Sequence, residues 1–427
     1  MKNKNKNLNY SPRLCDKILE EKLETMGGVL IEGPKWCGKT TTGAHHCKSV
    51  LYVDDPASKA NNIQIAKVTP QLLLEGETPR LFDEWQLAPQ LWDAARFEID
   101  ARQTPGQFMF AGSTTPVDKS ILSHSGTGRI ARMRMRTMSL FESGNSSGEI
   151  SLKALFEGDK TLTASRETGI EEIAHLTCRG GWPAICSRSN SVSLNLAKEY
   201  LASVIEADVS DLGPNRSPAL IRSVLRSYAR FISSQGKMTE ILKDVNANNH
   251  ISIDILQSCI DVLKAMFVID ELDAWNPNLR SSSAVRTTNV RHFCDSSIAA
   301  AALGATPSDL IGDLNTFGLL FESLCVHDLR VYMDSLGGHV SHYRDSSGLE
   351  SDAVLHTLDG RYALIEVKLG GSDQIEKGAH SLLKLQSVID EKSVGSPAFM
   401  AVVVGVGNYA YCREDGVYVI PITCLRE

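Results

Sequence analysis

The sequence predicts an α/β protein of several domains, and three observations carry that prediction. Short apolar runs alternate with helical stretches through roughly the first 110 residues, the pattern of a parallel sheet with crossover helices. The stretch from about 150 to 310 reads mostly helical, with two extended pieces near its end. Beyond about 315 strands return among helices as a separate α/β unit. The expected divisions are an N-terminal domain over 1–145, a helical lid over 146–215, a winged-helix-like region over 216–310 and a C-terminal domain over 311–427.

Taking the elements in order, Ser11 to Met26 reads as a helix stopped by Gly27-Gly28. Val29-Leu30-Ile31 is a continuous apolar run of the kind buried on both faces of a parallel sheet. Leu51-Tyr52-Val53, Leu81-Phe82 and Gln107 to Ala111 are further strands, and Leu91 to Arg102 is a helix between two of them. Ser143-Gly144-Asn145-Ser146-Ser147-Gly148 has loop chemistry and reads as a boundary. Helices near 219–233, 238–245 and 252–266, then extended pieces at Phe267-Val268-Ile269 and Val290 to Phe293, follow the order of a winged helix. A helix over Thr316 to Met333 precedes strands at 340–343, 351–355 and 362–368. A helix near 375–390 and strands at 398–405 and 417–421 complete the chain.

Composition narrows the function. At 427 residues the chain exceeds one ordinary core, and with 42% hydrophobic and 22% charged residues it is a folding chain rather than a disordered one. No apolar run approaches the ~20 residues that span a bilayer, and the Lys/Asn-rich start has no apolar segment behind it, so neither a membrane nor export is expected and the cytoplasm is the simplest location. The balance of 44 basic against 51 acidic residues gives −7, which excludes a globally basic coat for nucleic acid but not a local basic patch. The ten cysteines form no Cys-x-x-Cys pair, so their spacing does not suggest zinc.

Gly33-Pro34-Lys35-Trp36-Cys37-Gly38-Lys39-Thr40 fits G-x-x-x-x-G-K-[ST] in full and is followed by Thr41. The glycines let backbone N–H groups turn inward onto phosphate oxygens, Lys39 adds a cation on the β/γ-phosphates, and the Thr40 hydroxyl is a ligand for Mg²⁺. A strand precedes the loop and a helix follows it, as a P-loop NTPase requires. Asp83-Glu84, at the end of a later strand, is the companion acid pair: Asp83 to hold Mg²⁺, Glu84 to polarise the attacking water. Asp54-Asp55 competes for that role but opens a turn at Pro56. Arg132, Arg134 and Arg136 fall on one face of a strand, with Met133 and Met135 on the other. Arg129, on a loop after Gly126-Thr127-Gly128, is a candidate arginine finger, in cis or in trans.

The C-terminal unit holds Asp352 and then Glu366-Val367-Lys368 on two strands joined by a turn at Leu358-Asp359-Gly360. A hairpin there sets two carboxylates side by side, which repel unless a cation neutralises them. Asp352 and Glu366 are candidate Mg²⁺ ligands, Lys368 a candidate to orient water, and Glu322 on the preceding helix a candidate third acid. The pattern is that of the PD-(D/E)XK, or restriction-endonuclease-like, nucleases. An inert hairpin with its acids salt-bridged is the competing reading.

Tyr10-x-Pro12-Arg13, the loop, Asp83-Glu84-Trp85-Gln86, Ala111-Gly112-Ser113, Gly128-Arg129 and Gly180-Gly181-Trp182-Pro183 together resemble prokaryotic AAA-type P-loop ATPases fused to a C-terminal domain of unknown function. That C-terminal domain is similar to the stretch carrying Phe317-Gly318, Glu322, Asp352, Glu366 and Lys368. The resemblance implies ATP as cofactor with Mg²⁺, hydrolysis of ATP, a winged-helix middle region, Ser113 as sensor of the γ-phosphate, and Pro183 beside the adenine. The reading it supports is an ATP-driven switch that controls a nuclease-like domain. DNA and a second copy of the chain are carried as partners. Two alternatives stand beside it: a Mg²⁺-dependent DNA nuclease licensed by ATP, and a nucleotide-bound scaffold without activity. The helix near 252–266 departs from a groove-reading helix, because it carries Asp254 and Asp261 against Lys264 alone, whereas Arg222, Arg226 and Arg230 form a stripe on the earlier helix.

Overall fold

The computed structural model describes residues 10–112, 126–159, 164–186, 188, 190–208, 217–275, 288–345, 347–390 and 394–427. They form two compact units. One holds the chain up to Thr137 together with Ala265–Phe267; the other holds Met138–Lys264 and Val268–Glu427.

The first unit is a five-stranded parallel sheet of β1 (Gly28–Glu32), β2 (Ser49–Tyr52), β3 (Arg80–Asp83), β4 (Phe108–Ala111) and β5 (Ile130–Arg134), in the order β2-β3-β4-β1-β5. Side chains alternate across it with period two. Val29, Ile31, Leu81, Met109, Ala111 and Met133 join Leu19 and Cys37 in one core. Leu30, Phe82, Phe108 and Phe110 join Trp85, Leu91 and Trp92 in the other. Both faces are therefore covered, which is why β1 reads as an unbroken apolar run; each such buried side chain contributes about 1.5–3 kcal/mol. The helices are α1 (Cys15–Thr25), α2 (Lys39–His46), α3 (Lys59–Val68), α4 (Gln71–Leu74) and α5 (Gln90–Arg102). Helix α1 starts later than expected because Pro12 and Arg13 lie in the chain leading up to it.

The second unit begins with β6 (Ile150–Ser151), α6 (Leu152–Phe156) and β7 (Ser165–Thr168). A helical layer follows: α7 (Ile170–Arg179), α8 (Asn190–Ser203), α9 (Pro218–Arg230), α10 (Met238–Val245), α11 (Ile253–Ala265), α12 (Ser296–Leu303) and α13 (Pro307–Gly312). Helix α9 is capped by Ser217 and buries Leu220, Ile221, Val224, Leu225 and Tyr228, leaving Arg222, Arg226 and Arg230 on its exposed side. The two extended pieces after α11 meet antiparallel, Ile269 with Phe293 and Leu272 with Val290.

The last third runs α14 (Leu314–Ser335), β8 (His339–Arg344), β9 (Glu350–His356), β10 (Tyr362–Lys368), α15 (Ser372–Val388) and β11 (Met400–Val404). β12 (Gly407–Tyr409), β13 (Tyr411–Cys412), β14 (Tyr418–Pro421) and β15 (Leu425–Arg426) end it. Its mixed sheet has the order β13-β14-β11-β10-β9-β8. β8, β9 and β10 are an antiparallel meander, and β11 lies parallel to β10. Helix α15 covers one face through Ala379, Leu382 and Leu385, and α14 lies against β8, β9 and β10.

The expected boundary at Ser143–Gly148 is not a linker. The Leu140 amide donates to Asp328 Oδ2 at 2.9 Å, and Ser146 Oγ donates to the Leu425 carbonyl at 2.6 Å. Small polar residues read as a flexible loop by composition, but here distant partners satisfy them. Among the described residues, no helix is long and apolar enough to cross a membrane. All ten cysteines are free thiols.

Candidate functional site

The Gly33–Thr40 loop leaves the C-terminal end of β1 and opens α2. Gly33 has φ +156°, and a Cβ there would lie 2.1 Å from the Met135 carbonyl oxygen. Gly38 caps α2 at φ +106°. Both positions need glycine for conformation and the first also for space. Trp36 sits at φ +63° with its side chain 45% exposed. Cys37 is buried, its Sγ 3.7 Å from the Met135 carbonyl.

Lys39 folds back over the loop, Nζ donating to the carbonyls of Gly33 at 2.9 Å and Pro34 at 2.7 Å. Thr40 Oγ1 donates to Asp83 Oδ1 at 2.8 Å. The two residues chosen from sequence as metal ligands are thus already in contact, 43 positions apart in the chain. Burial pushes the Asp83 carboxyl up to about 6, and the charges of Glu84 and Asp54 add to the shift. A buried carboxylate that is hard to ionise alone fits a divalent cation, which would restore its charged form. Thr40 and Asp83 would hold the ion; the loop amides, Lys39 and Thr41 would face the phosphates.

Glu84 lies one residue past β3 at φ +52°, a conformation unfavourable for a side chain with a Cβ. Its Oε2 accepts a hydrogen bond from Gln86 Nε2. Gln86 Oε1 is buried without a hydrogen-bond partner among the described residues. It lies where a Cβ on Gly112 would come within 2.3 Å of it. Trp85 between them is fully buried and stacks on Trp92 at 5.1 Å, which anchors the turn.

Arg129 is displaced from the cis role. Gly28 pairs with Ile130 at the start of β1, and the Gly28 amide donates to the Arg129 carbonyl at 3.0 Å. The phosphate loop begins at the other end of that strand, roughly 13 Å on. The Arg129 guanidinium binds Asp100 Oδ1 at 2.9 Å instead. A residue following a Gly-x-Gly loop has no fixed side of the sheet from sequence alone; the register with β1 sets it. Ser113 lies outside the described residues. Pro183 belongs to the second unit, behind a Trp182 whose Nε1 donates to Ser297 Oγ at 3.0 Å.

Sequence reasoning gave no role to Arg13. Its Nη1 donates to the Cys37 carbonyl and its Nη2 to the Arg136 carbonyl, both at 3.0 Å, so it ties the loop to the chain beyond β5. Tyr10 donates to Asp16 Oδ1 at 2.5 Å and stacks on His45 of α2 at 4.0 Å.

The C-terminal residues also converge. Lys368 Nζ lies 2.6 Å from Glu366 Oε2 and 3.5 Å from Asp352 Oδ2, and Asp352 Oδ2 accepts from the Val367 amide at 2.7 Å. Glu366 Oε1 is buried without a hydrogen-bond partner. Burial, then the Asp352 charge, pushes Glu366 up to about 8. The same causes push Glu322 well above the usual carboxylate range. Burial alone would lower the Lys368 ammonium, but the Asp352 and Glu366 charges overrule it and hold it above the ordinary lysine value. Among the described residues no group of three or more His, Cys, Asp or Glu is arranged to hold a metal ion.

Residues 27–143 match the family model described as an AAA domain. This stretch is an ATPase-like domain of the AAA type. Residues 170–309 and 317–425 match two further models, each described as a domain of unknown function, DUF8612 and DUF4143. No curated protein matches the chain. Among solved structures, the Walker-type ATPase PABY2304 of Pyrococcus abyssi is similar at 13% identity and a TM-score of 0.42, covering 67% of this chain and 94% of that one. AMPPCP-bound DnaA of Aquifex aeolicus is similar at 14% identity and a TM-score of 0.25, covering 60% of this chain and 89% of that one. A DnaA replication initiator bound to AMPPCP and single-stranded DNA is similar at 12% identity and a TM-score of 0.28, with 60% and 90% covered. The AAA domain rests on the loop geometry and the family match, not on these distant likenesses.

Proposed function

We propose that the first unit binds and hydrolyses ATP with Mg²⁺, and that its nucleotide state controls the C-terminal domain. The observation that carries this reading is the Thr40–Asp83 contact beside a loop that Lys39 already spans. Lys39 exchanges the Gly33 and Pro34 carbonyls for phosphate oxygens, which are charged and therefore stronger acceptors. Mg²⁺, when bound, neutralises phosphate charge. Glu84, oriented by Gln86, takes the proton of the attacking water. Ser113 senses the γ-phosphate, and Arg129 acts in trans, from a second copy.

The test is Lys39→Ala. ATP turnover and adenine-nucleotide affinity are expected to vanish, while the nucleotide-free protein stays folded but loses about 1.5–3 kcal/mol of stability with the charged donor to two carbonyls. A wild-type protein that binds no adenine nucleotide with Mg²⁺ present would overturn the reading.

A second reading is favoured by the Asp352–Glu366–Lys368 cluster: a Mg²⁺-dependent DNA nuclease licensed by ATP. The order helix, three-stranded meander, helix, parallel strand supports a PD-(D/E)XK-like core. Asp352 and Glu366 would take the ion, with Lys368 moving to the attacking water. Asp352→Ala and Lys368→Ala should each abolish Mg²⁺-dependent cutting. Wild-type protein that leaves plasmid and oligonucleotide intact with ATP and Mg²⁺ would remove this reading and leave the first untouched.

A further inference from the structure

The second unit has a groove that neither reading uses. Its cavity, about 300 Å³, lies between α8, α9 and α12. Leu201, Ile205 and Leu225 supply apolar lining, and Lys198, Arg222 and Arg226 supply three cations. None of the described residues lining it is acidic. On a chain of net charge −7, three cations around an apolar pocket are a departure that calls for a ligand.

The spacing of those cations narrows the ligand. Arg222 and Arg226 continue to Arg230 along α9, one every four residues. Four residues of helix rise about 6 Å, a step on the scale of successive phosphates in an extended strand. Arg222 is paired with Glu206 at 2.8 Å and Arg230 with Asp244. The arginines and Glu206 are largely exposed, and such pairs contribute little, so a phosphate replaces the carboxylate at small cost. Helix α11, where a duplex-reading helix would be sought, instead shows Asp254 and Asp261, the latter held by Gln257 at 2.8 Å. That argues against a duplex read by α11 and for a strand laid across α9.

We propose that this groove seats a single strand of nucleic acid, with phosphates on Arg222, Arg226 and Lys198 and a base against the Leu201–Ile205–Leu225 floor. Aliphatic side chains contact either face of any base by dispersion, so binding tolerates sequence. The inference gives the DNA part of the function above a location, and it needs neither turnover nor cutting.

The experiment is fluorescence anisotropy of a labelled oligothymidine on the order of 20 nucleotides long, titrated with the full chain without ATP or Mg²⁺. Its failure therefore says nothing of nucleotide hydrolysis. Three phosphate contacts predict a salt slope of about −2, so affinity should fall about 20-fold between roughly 50 and 200 mM salt. The triple variant Lys198→Ala, Arg222→Ala, Arg226→Ala should bind at least about tenfold more weakly and lose most of that slope. These side chains are exposed, and an unchanged melting temperature checks that the variant folds. Lys59→Ala with Lys67→Ala, exposed cations on α3, should bind as wild type. The proposal is overturned if wild type fails to bind at the lower salt, or if the triple variant binds equally well. It is also overturned if a duplex, inorganic polyphosphate or anionic vesicles bind in preference to the strand.

Discussion

The guanidinium of Arg13 donates to the carbonyl of Cys37 at 3.0 Å, inside the phosphate loop. Its second nitrogen reaches the Arg136 carbonyl, so one side chain holds the loop against the segment after β5. Replacing it with alanine leaves two carbonyls without their charged donor. Arg13→Ala is expected to cost about 1.5–3 kcal/mol of stability and to weaken ADP binding about tenfold, because a looser loop must be ordered on binding. Thermal melting and calorimetric titration with ADP check the two effects. Unchanged affinity in a destabilised variant would limit Arg13 to holding the fold.

Glu84 separates binding from turnover. Glu84→Gln keeps the size of the side chain but cannot take a proton. ATP affinity should stay within about threefold while hydrolysis falls about 10²–10⁴-fold, the range for loss of a general base. Gln86→Ala should lower turnover by a smaller factor, since it orients the carboxylate rather than meeting the water. Steady-state phosphate release and equilibrium binding of a non-hydrolysable analogue measure the pair.

Buried neutral histidines make the second unit acid-sensitive. Burial pushes His342 down to about 4 and His292 to about 3, the latter also through the Arg330 charge. Neither Nε2 has a hydrogen-bond partner among the described residues. The unfolded chain binds protons below about pH 6.5 while the folded one does not, so stability falls with pH, by about 1.4 kcal/mol per unit per group until the folded value is reached. His342→Gln removes one such group. Its stability relative to wild type should improve steadily as pH falls from about 6.5 to about 4. Denaturant melts across that range give the difference; a flat difference would sink it.

Glu366 has the opposite sign. Its folded value of about 8 exceeds that of an ordinary carboxylate. Its contribution is whole at low pH and is lost as pH rises toward 8. Glu366→Gln should therefore gain stability over wild type as pH rises, when no divalent cation is present. Mg²⁺ competes with the proton, so the rise in melting temperature that it gives wild type should grow from pH 6 to 8 and disappear in Asp352→Ala. A Mg²⁺ effect equal in both proteins would place the ion elsewhere.

The phosphate loop and the strand–helix alternation around it were legible because local chemistry dictates both. Glycines at Gly33 and Gly38 are required by backbone angles, and the unbroken apolar run of β1 is required by a sheet covered on both faces. The Asp352–Glu366 hairpin was legible for a similar reason, since a short turn fixes which residues face each other. The end of β1 that Arg129 adjoins was not legible, because it depends on pairing with Gly28, a contact about 100 residues distant. The role of Arg13 and the tethering of Ser146 were hidden in the same way. Both are hydrogen bonds to backbone carbonyls, and a carbonyl acceptor carries no sequence signature.

The parallel pairing of β15 with β6 joins Leu425 to Ile150, and the Ser146 Oγ bond to the Leu425 carbonyl that reinforces it spans 279 positions. A growing polypeptide cannot make that closure until β15 itself has been synthesised. The helical layer, whose last helix ends at Gly312, is therefore complete in sequence before its latch can close. Without β15 the Ile150 strand and the Ser146 hydroxyl would lose these partners, and the second unit should open more readily to proteases.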